Sequence, residues 1–290
     1  MIPSRLAAAG SAKRLALAVL LACAAATAAQ AQVSQGQNPQ GQIPQAQNSQ
    51  PQLSQDVPKC SAPVEATGLE NLPTNFREKV AERRPLKIVA IGSSSTFGTG
   101  ASSPDKSYPS RLEAELKARL PGVPVTVLNK GIGGEEAPQM IARFDADVFE
   151  EAPDLVLWQV GSNSVLLNHP TPGEVIREGV EHLKASGTEV ILVNPQYAPK
   201  IIAKSDIGHM VDVITATARD TEVGLFDRFS IMRYWFEGER ISFEQSLSSD
   251  GLHMNDWSYA CTAKLLANAL LDGIKAPAAT AAAPAVIKTR

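Results

Sequence analysis

The sequence predicts an α/β protein, a three-layer α/β/α sandwich built on a five-stranded parallel sheet. Three observations lead to this prediction: five short apolar runs of strand-like composition, segments with helical spacing between them, and polar glycine-containing loops after the first three runs. Alternation of strands and helices favours a parallel sheet with helices on both faces. The connections between its strands should be right-handed crossovers.

The apolar runs predict the strands in chain order. They are Leu86 to Ile91, Val123 to Leu128, Leu155 to Val160, Val190 to Val193 and Val223 to Phe226. Apolar residues recur at helical spacing between the first two runs, and a Pro-Gly pair ends that predicted helix. Its apolar positions are Tyr108, Leu112, Leu116 and Leu120. With 290 residues and a net charge of −3, the chain can bury one sizeable core and lacks the basic bias of a nucleic-acid binder.

The N-terminus has the composition of a targeting segment. Basic residues precede an apolar run that closes on Ala29-Gln30-Ala31, so residues 1–31 are predicted to be a signal peptide for export to the periplasm or the medium. The run is short of the roughly 18 to 20 apolar residues that a spanning helix needs, so no transmembrane helix is expected in the mature chain. A lipoprotein, cleaved at Cys23 in Leu20-Leu21-Ala22-Cys23, stays open as an alternative.

The segments that flank the predicted core are polar or rich in small residues. Residues 32–59, rich in Gln and Pro, and residues 276–290, rich in Ala and Pro, are predicted to be disordered, which leaves 60–275 as the folded domain. If Cys23 leaves with the signal peptide, Cys60 and Cys261 form an even pair in an oxidising compartment and are a candidate disulfide. Two unpaired thiols are the open alternative, and no ligand spacing indicates a metal site.

Polar loops follow the first three predicted strands, at the edge where sites form in open parallel sheets. They contain Ser93 to Ser95, Asn129 to Glu135 and Gly161 to Ser164. A fourth motif, Ser249 to Asp256, places Asp250 and His253 one short turn apart near the end of the α/β pattern. A serine hydroxyl needs an imidazole to take its proton and a carboxylate to orient that imidazole. The motifs therefore indicate a serine hydrolase.

In their order, these blocks resemble those of the SGNH hydrolases, the GDSL-like lipase and esterase superfamily. The resemblance covers nearly all of the predicted folded domain and implies a flavodoxin-like SGNH hydrolase fold. It implies that Ser94 is the nucleophile, with His253 and Asp250 as base and acid. It also implies an oxyanion hole made by the backbone N–H groups of Ser94 and Gly134 and the side-chain amide of Asn163. No cofactor is implied, because such a triad needs none.

Two residues depart from the pattern of the superfamily. Ser93 stands where an aspartate usually precedes the nucleophile, and Ser164 stands where an aspartate often follows the third-block asparagine. Neither is a triad member, so activity is not excluded. The departures bear on how rigidly the oxyanion loops are held.

An aromatic-rich segment between Asp227 and Asp250 is a candidate wall of the substrate pocket. It contains Phe229, Tyr234, Trp235, Phe236 and Phe243. Helical spacing predicts that Phe229, Met232 and Phe236 lie in the core. This leaves Tyr234 and Trp235 as candidate surface or cleft aromatics.

The sequence thus predicts an exported serine esterase that removes a small acyl group, such as acetyl, from a carbohydrate or cell-envelope substrate. An O-acyltransferase and a lipase or thioesterase use the same residues and stay open as alternatives. A non-catalytic, carbohydrate-binding module of the envelope is a further alternative, motivated by Ser93 and Ser164. The expected partner is a small ester or an acylated carbohydrate.

Overall fold

The five predicted strands form one parallel sheet in the computed structural model, which describes residues 58–71, 73–169 and 171–275. The strands are β1 (Leu86–Gly92), β2 (Val125–Gly131), β3 (Leu155–Gln159), β4 (Glu189–Val193) and β5 (Gly224–Phe226). Their order across the sheet is β2-β1-β3-β4-β5, and every neighbouring pair is parallel. The predicted fold class is confirmed. The predicted signal peptide with Cys23, most of the 32–59 linker and the 276–290 tail lie outside the described residues.

Helices connect the strands and cover both faces of the sheet. In chain order they are α1 (Val64–Thr67), α2 (Thr74–Ala81), α3 (Ser94–Phe97), α4 (Tyr108–Arg119), α5 (Ala137–Ile141), α6 (Ser162–Leu167), α7 (Gly173–Ala185), α8 (Pro199–Ile202), α9 (Ile207–Asp220), α10 (Arg228–Glu237), α11 (Phe243–Ser246) and α12 (Asp256–Lys275). A 3₁₀ turn, Pro104–Lys106, precedes α4, and a π-helical turn, Asp145–Phe149, precedes β3. No helix within the described ranges is long and apolar enough to cross a membrane.

The core consists of two apolar layers, one on each face of the sheet. Side chains alternate between the faces of a strand, so Ile88 and Ala90 of β1 pack into one layer while Val89 and Ile91 pack into the other. The first layer is closed by α4, α10 and α12, and the second by α5, α7 and α9. Residues 88–92 of β1 are all buried, on both faces of the sheet, which explains why this part of the strand is a continuous apolar run.

Cys60 and Cys261 are joined by the predicted disulfide, with a Cα–Cα distance of 5.5 Å. The bond ties the segment that enters the domain to α12. Next to it, the indole N–H of Trp257 donates to the carbonyl of Pro58 at 2.8 Å, which fixes the same segment.

The predicted placement of two aromatic residues in α10 is wrong. Trp235 is 1% exposed, and its indole N–H donates to the carbonyl of Ser61 at 2.8 Å. Phe236 is 37% exposed and stacks on Phe243 with ring centroids 4.1 Å apart. The buried residues of α10 are Arg228, Ile231, Met232 and Trp235, which recur at helical spacing, and the three apolar ones pack into the first apolar layer. The prediction chose the face of Phe229 and Phe236 instead, because these residues also fall at helical spacing with Met232. Met232 is buried, as predicted.

Candidate active site

Ser94 lies in a tight turn between β1 and α3, at the carboxyl edge of the sheet. β1 ends at Gly92, Ser93 caps the helix in extended conformation, and Ser94 is the first helical residue. The backbone N–H groups of Thr96 and Phe97 both donate to the carbonyl of Ser93 at 3.0 Å, which fixes the turn. The Ser94 side chain is half-buried, and its backbone N–H, like those of other helix starts, has no intrahelical acceptor.

The structure brings Ser94, His253 and Asp250 together in one hydrogen-bonded chain. The Oγ atom of Ser94 lies 2.7 Å from Nε2 of His253, and Nδ1 of His253 lies 2.5 Å from Oδ2 of Asp250. With the Nδ1 proton donated to the carboxylate, Nε2 is left as an acceptor for the serine hydroxyl proton. The imidazole is therefore oriented as a general base for Ser94.

Asp250 is held as an ionised carboxylate by several donors. Partial burial acts to raise its pKa. Hydrogen bonds from the His253 ring and the His253 backbone N–H, from the Ser248 hydroxyl and from the Leu252 backbone N–H outweigh burial, so the pKa of Asp250 lies well below its ordinary value. The carboxylate is thus charged across the physiological range and can stabilise an imidazolium.

The loop that carries Asp250 and His253 is anchored on both sides. Leu247 and Met254 form an antiparallel bridge, and the Ser248 backbone N–H donates to the His253 carbonyl at 2.8 Å. Outside the bridge, Asp256 accepts from the backbone N–H and the hydroxyl of Ser102 at 2.8 and 2.6 Å. This contact between Ser102 and Asp256 was not predicted from the sequence; its available signal was the carboxylate at the first position of the last helix.

The loop after β2 packs directly against the Ser94 turn. A Cβ atom on Gly131 would lie 2.1 Å from the backbone nitrogen of Phe97, so only glycine permits this contact. Gly133 comes close to the Cβ of Ser94, since a Cβ placed on it would lie 3.9 Å away. Gly134 has a φ of +84°, in the left-handed region that favours glycine. The predicted oxyanion glycine thus belongs to the loop that packs against the turn of the predicted nucleophile.

Asn163 contacts this loop from the segment after β3, on the other side of β1. It lies in the first turn of α6, after β3, and its Nδ2 donates to the carbonyl of Glu135 at 2.7 Å. One N–H of the amide is thereby used for orientation and the second is available to a ligand. Arg143 stabilises the same loop, because its guanidinium contacts the Glu135 carboxylate and the Lys130 carbonyl, each at 2.8 Å.

The two departures from the superfamily pattern are accommodated by neutral hydrogen bonds. Ser93 is buried, and its backbone N–H and hydroxyl both donate to Oε1 of Gln159 at 2.9 Å. Ser164 is also buried, and its hydroxyl lies 2.5 Å from that of Thr171. The loops beside these positions therefore have buried partners without the usual aspartates.

A buried polar cluster, composed of Ser95, Gln159, Ser162, Gln196 and Arg228, lies behind the Ser94 turn and was missed from the sequence. Gln159 Oε1 accepts from Ser95 at 3.0 Å, and Gln196 Oε1 accepts from Ser162 at 2.9 Å. Arg228 donates to both Ser95 and Gln196 at 3.1 Å. Gln159 ends β3 and Gln196 follows β4, so a polar side chain at the end of an apolar strand was the available signal.

Three exposed apolar side chains lie within two to four residues, along the chain, of the three predicted oxyanion donors. Phe97 is 60% exposed and lies three residues after Ser94 in α3; Leu167 is 51% exposed and lies four residues after Asn163 in α6. Residues three or four apart share a helix face. Ile132, 45% exposed, precedes Gly134 by two residues. We call Phe97, Ile132 and Leu167 the apolar rim.

Other prominent features lie away from this edge. A cavity of about 600 Å³ between α1 and α10, lined by Asp227, Arg233 and Tyr234 among others, contains none of the triad residues. His182 packs against Phe149 with ring centroids 4.9 Å apart, which gives it a structural role on α7. No cluster of potential metal ligands occurs within the described part of the chain.

The fold and the Ser94–His253–Asp250 arrangement define a class, the serine hydrolases of SGNH type. Residues 59–276 match the model of the non-GDSL lipase-like family, and the chain belongs to this family. Structures described as a putative lipolytic protein of the G-D-S-L family from Desulfitobacterium hafniense and a lipase/acylhydrolase from Enterococcus faecalis share the fold, with TM-scores of 0.54 and 0.53. The predicted superfamily is confirmed.

One protein that is similar in sequence is named as an esterase. An arylesterase of Vibrio mimicus is 27% identical over 201 residues, which are 68% of this chain and 94% of that protein. Together with the family match, it confirms the prediction of an ester-hydrolysing enzyme of SGNH/GDSL type.

Two similar solved structures belong to esterases that are described by acetylated polysaccharides, a mannan and a xylan. A two-domain esterase active on acetylated mannans aligns with a TM-score of 0.62 at 25% identity, over 77% of this chain and 59% of that chain. The present chain thus spans about three-fifths of that protein. An acetyl xylan esterase from Geobacillus stearothermophilus aligns with a TM-score of 0.52 at 22% identity, over 65% of this chain and 94% of that chain, and shows the shared fold.

Proposed function

We propose that the protein is an exported serine esterase that removes a small acyl group, acetyl in the first place, from a carbohydrate or cell-envelope substrate. Ser94 is the nucleophile, His253 the general base and Asp250 the residue that orients and charges the imidazole. The observation that carries this proposal is the continuous chain from Ser94 Oγ to His253 Nε2 at 2.7 Å and from His253 Nδ1 to Asp250 Oδ2 at 2.5 Å.

The reaction proceeds by acyl transfer through the serine. Ser94 Oγ attacks the ester carbonyl carbon while His253 Nε2 takes its proton, and a tetrahedral intermediate forms. Collapse breaks the bond to the alcohol, which leaves with the proton from His253. Water then attacks the acyl-enzyme, again with His253 as base, and releases the carboxylic acid and free Ser94.

The intermediate carries a negative oxygen, and the proposed donors to it are the N–H groups of Ser94 and Gly134 and the amide of Asn163. Preorganised donors of this kind each contribute about 3 to 4 kcal/mol to stabilisation of the transition state. Support comes from the positions of these groups. Ser94 begins a helix, Gly134 belongs to the loop packed on the Ser94 turn, and Asn163 is oriented by Glu135.

The proposed substrate class is supported by the esterases of similar fold and by the surface around Ser94. The described neighbours that act on acetylated mannans and xylan provide acetylated polysaccharides as candidate substrates. The apolar rim offers contact to the acyl methyl group and to the apolar face of a sugar ring, with Phe97 as its aromatic member.

Export is proposed from the sequence of residues 1–31 and from the cysteine pair. A disulfide such as that between Cys60 and Cys261 persists in oxidising compartments and is rare in the cytosol. The bond is thus compatible with a periplasmic or secreted enzyme.

The test is to measure acetate released from acetylated xylo- and manno-oligosaccharides, beside hydrolysis of p-nitrophenyl acetate, butyrate and octanoate. We expect turnover of the acetyl substrates and a steep fall with acyl length, all abolished in Ser94→Ala. Faster turnover of octanoate than of acetate would contradict the short-acyl assignment. Transfer of the acetyl group to a sugar acceptor in preference to water would instead identify a transferase.

A further inference from the structure

The guanidinium of Arg228 is fully buried behind the Ser94 turn and has only uncharged partners. Arg228 is the first residue of α10, directly after the end of β5. Its Nε donates to the carbonyl of Asn194, and its two terminal nitrogens donate to Ser95 Oγ and Gln196 Oε1, each at 3.1 Å. Within the described residues, no carboxylate forms an ion pair with Arg228.

This placement of a charge opposes the stability of the fold in two ways. A buried ion without a counter-ion is unfavourable, and a cation in the first turn of a helix opposes the helix dipole. The adjacent carboxylate, Asp227, caps α10 instead, accepting from the Ser230 backbone N–H at 3.0 Å and from Asn194 Nδ2 at 2.6 Å. Residues that break such rules tend to serve a function.

The charge is present at neutral pH and is not neutralised by an ion pair within the described part of the domain. Burial lowers the pKa of Arg228 only to about 10, so the guanidinium stays protonated. Burial also raises the pKa of the neighbouring phenols of Tyr108 and Tyr259, which are therefore uncharged. Arg228 is thus a net positive charge in the interior of the domain.

On one side, Arg228 connects to the segment that carries the nucleophile. Ser95 Oγ accepts from Arg228 and donates to Oε1 of Gln159, the same atom that accepts from the Ser93 backbone N–H. The residues before and after Ser94 are therefore both held by the cluster that contains the guanidinium.

On the other side, Gln196 connects Arg228 to the segments of Asn163 and His253. Gln196 Oε1 accepts from the hydroxyl of Ser162, the residue before Asn163, at 2.9 Å. Gln196 Nε2 donates to the carbonyl of the residue before His253 at 3.4 Å. The guanidinium is within two hydrogen bonds of all three segments.

We propose that Arg228 is a positioning residue of the active site, and that its unpaired charge stabilises the anionic tetrahedral intermediate formed on Ser94. The inference rests on the proposed function, since it requires acyl transfer through Ser94. A charge in the low-dielectric interior is screened little, and it is in place before the reaction begins. Because a substrate ester is neutral and the intermediate is anionic, the effect falls on kcat and not on KM.

The decisive comparison is Gln196→Glu against Gln196→Met. The first variant keeps the shape and the acceptor but places a carboxylate on the guanidinium, which pairs its charge. Both variants lose the weak hydrogen bond from Gln196 Nε2 to the carbonyl of Leu252 in the catalytic loop. The second variant leaves the charge of the guanidinium unpaired. We expect Gln196→Glu to lower kcat for p-nitrophenyl acetate at least tenfold, with KM within twofold and an unchanged or higher melting temperature. We expect Gln196→Met to lower the melting temperature and to lower kcat less than threefold.

Equal losses of kcat in the two variants, or no loss in Gln196→Glu, would overturn the role of the charge. If Gln196→Glu does not fold, Arg228→Lys against Arg228→Met makes the same comparison, with the inhibition constant of phenylboronic acid as readout. That acid forms an anionic tetrahedral adduct on a serine. Arg228→Met should therefore weaken the binding of phenylboronic acid by the same factor by which it lowers kcat. Arg228→Lys should retain most of the affinity. A loss shared by both Arg228 variants would overturn the proposal.

Wild-type turnover that disappears in Ser94→Ala tests the proposed function separately. An inactive wild type would count against both inferences, whereas an active wild type with unaffected Gln196→Glu kinetics would count against the role of Arg228 alone.

Discussion

At the level of single residues, the proposed site depends on three side chains whose hydrogen bonds are arranged for proton transfer from Ser94 to His253. Ser94 donates to His253, and His253 donates to a carboxylate that four donors keep ionised. The amide of Asn163 is fixed by one hydrogen bond and has one N–H left. Each of these groups has a distinct part in the proposed mechanism, so single substitutions should give distinct results.

Asn163→Ala should remove one of the proposed oxyanion donors and leave the proposed nucleophile intact. We expect kcat for p-nitrophenyl acetate to fall by about 10²- to 10³-fold, because the donor acts on the charged intermediate, with little change in KM. The rate of reaction and the melting temperature are measured together. A variant that loses activity only in proportion to a loss of folded protein would contradict the assignment.

Asp250→Asn should change how stability depends on pH. The pKa of Asp250 is depressed in the folded protein, so the carboxylate contributes stability that is present above the ordinary carboxyl pKa of about 4 and is lost as pH falls toward the folded value. Thermal unfolding at pH 7, 5 and 3 should show a difference between wild type and variant that shrinks below pH about 4.

The exposed Asp212→Asn on α9 is the matched control for that series and should show no such difference at any pH. A difference between wild type and Asp250→Asn that grows in acid would contradict the ionised state of Asp250.

At the level of elements, the site is assembled where β1, β2 and β3 end and where the loop before α12 returns to the same edge. The strands could be predicted from the sequence because a buried parallel strand is a continuous apolar run. The site loops could be predicted because their polar residues directly follow such runs, which is a local pattern. The order of the four motifs along the chain was sufficient to predict that Ser94, Gly134, Asn163 and His253 belong to one site. These predictions needed no knowledge of distant contacts.

The missed features depend on contacts between distant parts of the chain. Arg228 and Gln196 meet Ser95 only after β4 and β5 are in the sheet, and neither has a local pattern that indicates burial. Trp235 lies in the core with Ile231 and Met232, and its indole N–H is satisfied by the carbonyl of Ser61, 174 residues away. The apolar residues of α10 fit more than one helical face, and only the packing of the folded domain decides which face is buried.

Gly131 illustrates how one element positions another. In Gly131→Ala, the new methyl group would meet the Phe97 backbone and would push β2 from the Ser94 turn. We expect a loss of about 1 to 3 kcal/mol in the free energy of unfolding, typical of overpacking, together with lower kcat. Denaturant unfolding and steady-state kinetics measure the two effects.

Gly208→Ala is the matched control, because it has open space around it and lies in α9. It should be neutral or stabilise by up to about 1 kcal/mol, since alanine has the higher helix propensity. Equal destabilisation by both substitutions would contradict the steric account of Gly131.

At the level of the whole molecule, the disulfide between Cys60 and Cys261 closes a loop with a sequence separation of 201 residues. Removing it as Cys60→Ser with Cys261→Ser should lower the free energy of unfolding by about 2 to 4 kcal/mol, because the unfolded chain gains freedom. Reductant should lower the stability of the wild type and have no further effect on the double variant. Activity at temperatures well below melting should persist, since neither cysteine contacts the triad. Loss of activity in the folded double variant would contradict this separation of stability from catalysis.

The central claim is that Ser94 is a nucleophile activated by His253 and Asp250. The most direct measurement is the labelling of the folded protein by a fluorophosphonate, followed by mass spectrometry of the modified peptide. We expect a single adduct on Ser94 in the wild type, none in Ser94→Ala, and labelling slowed at least about 10³-fold in His253→Ala. Labelling of another serine, or equal labelling rates with and without the His253 imidazole, would contradict the account.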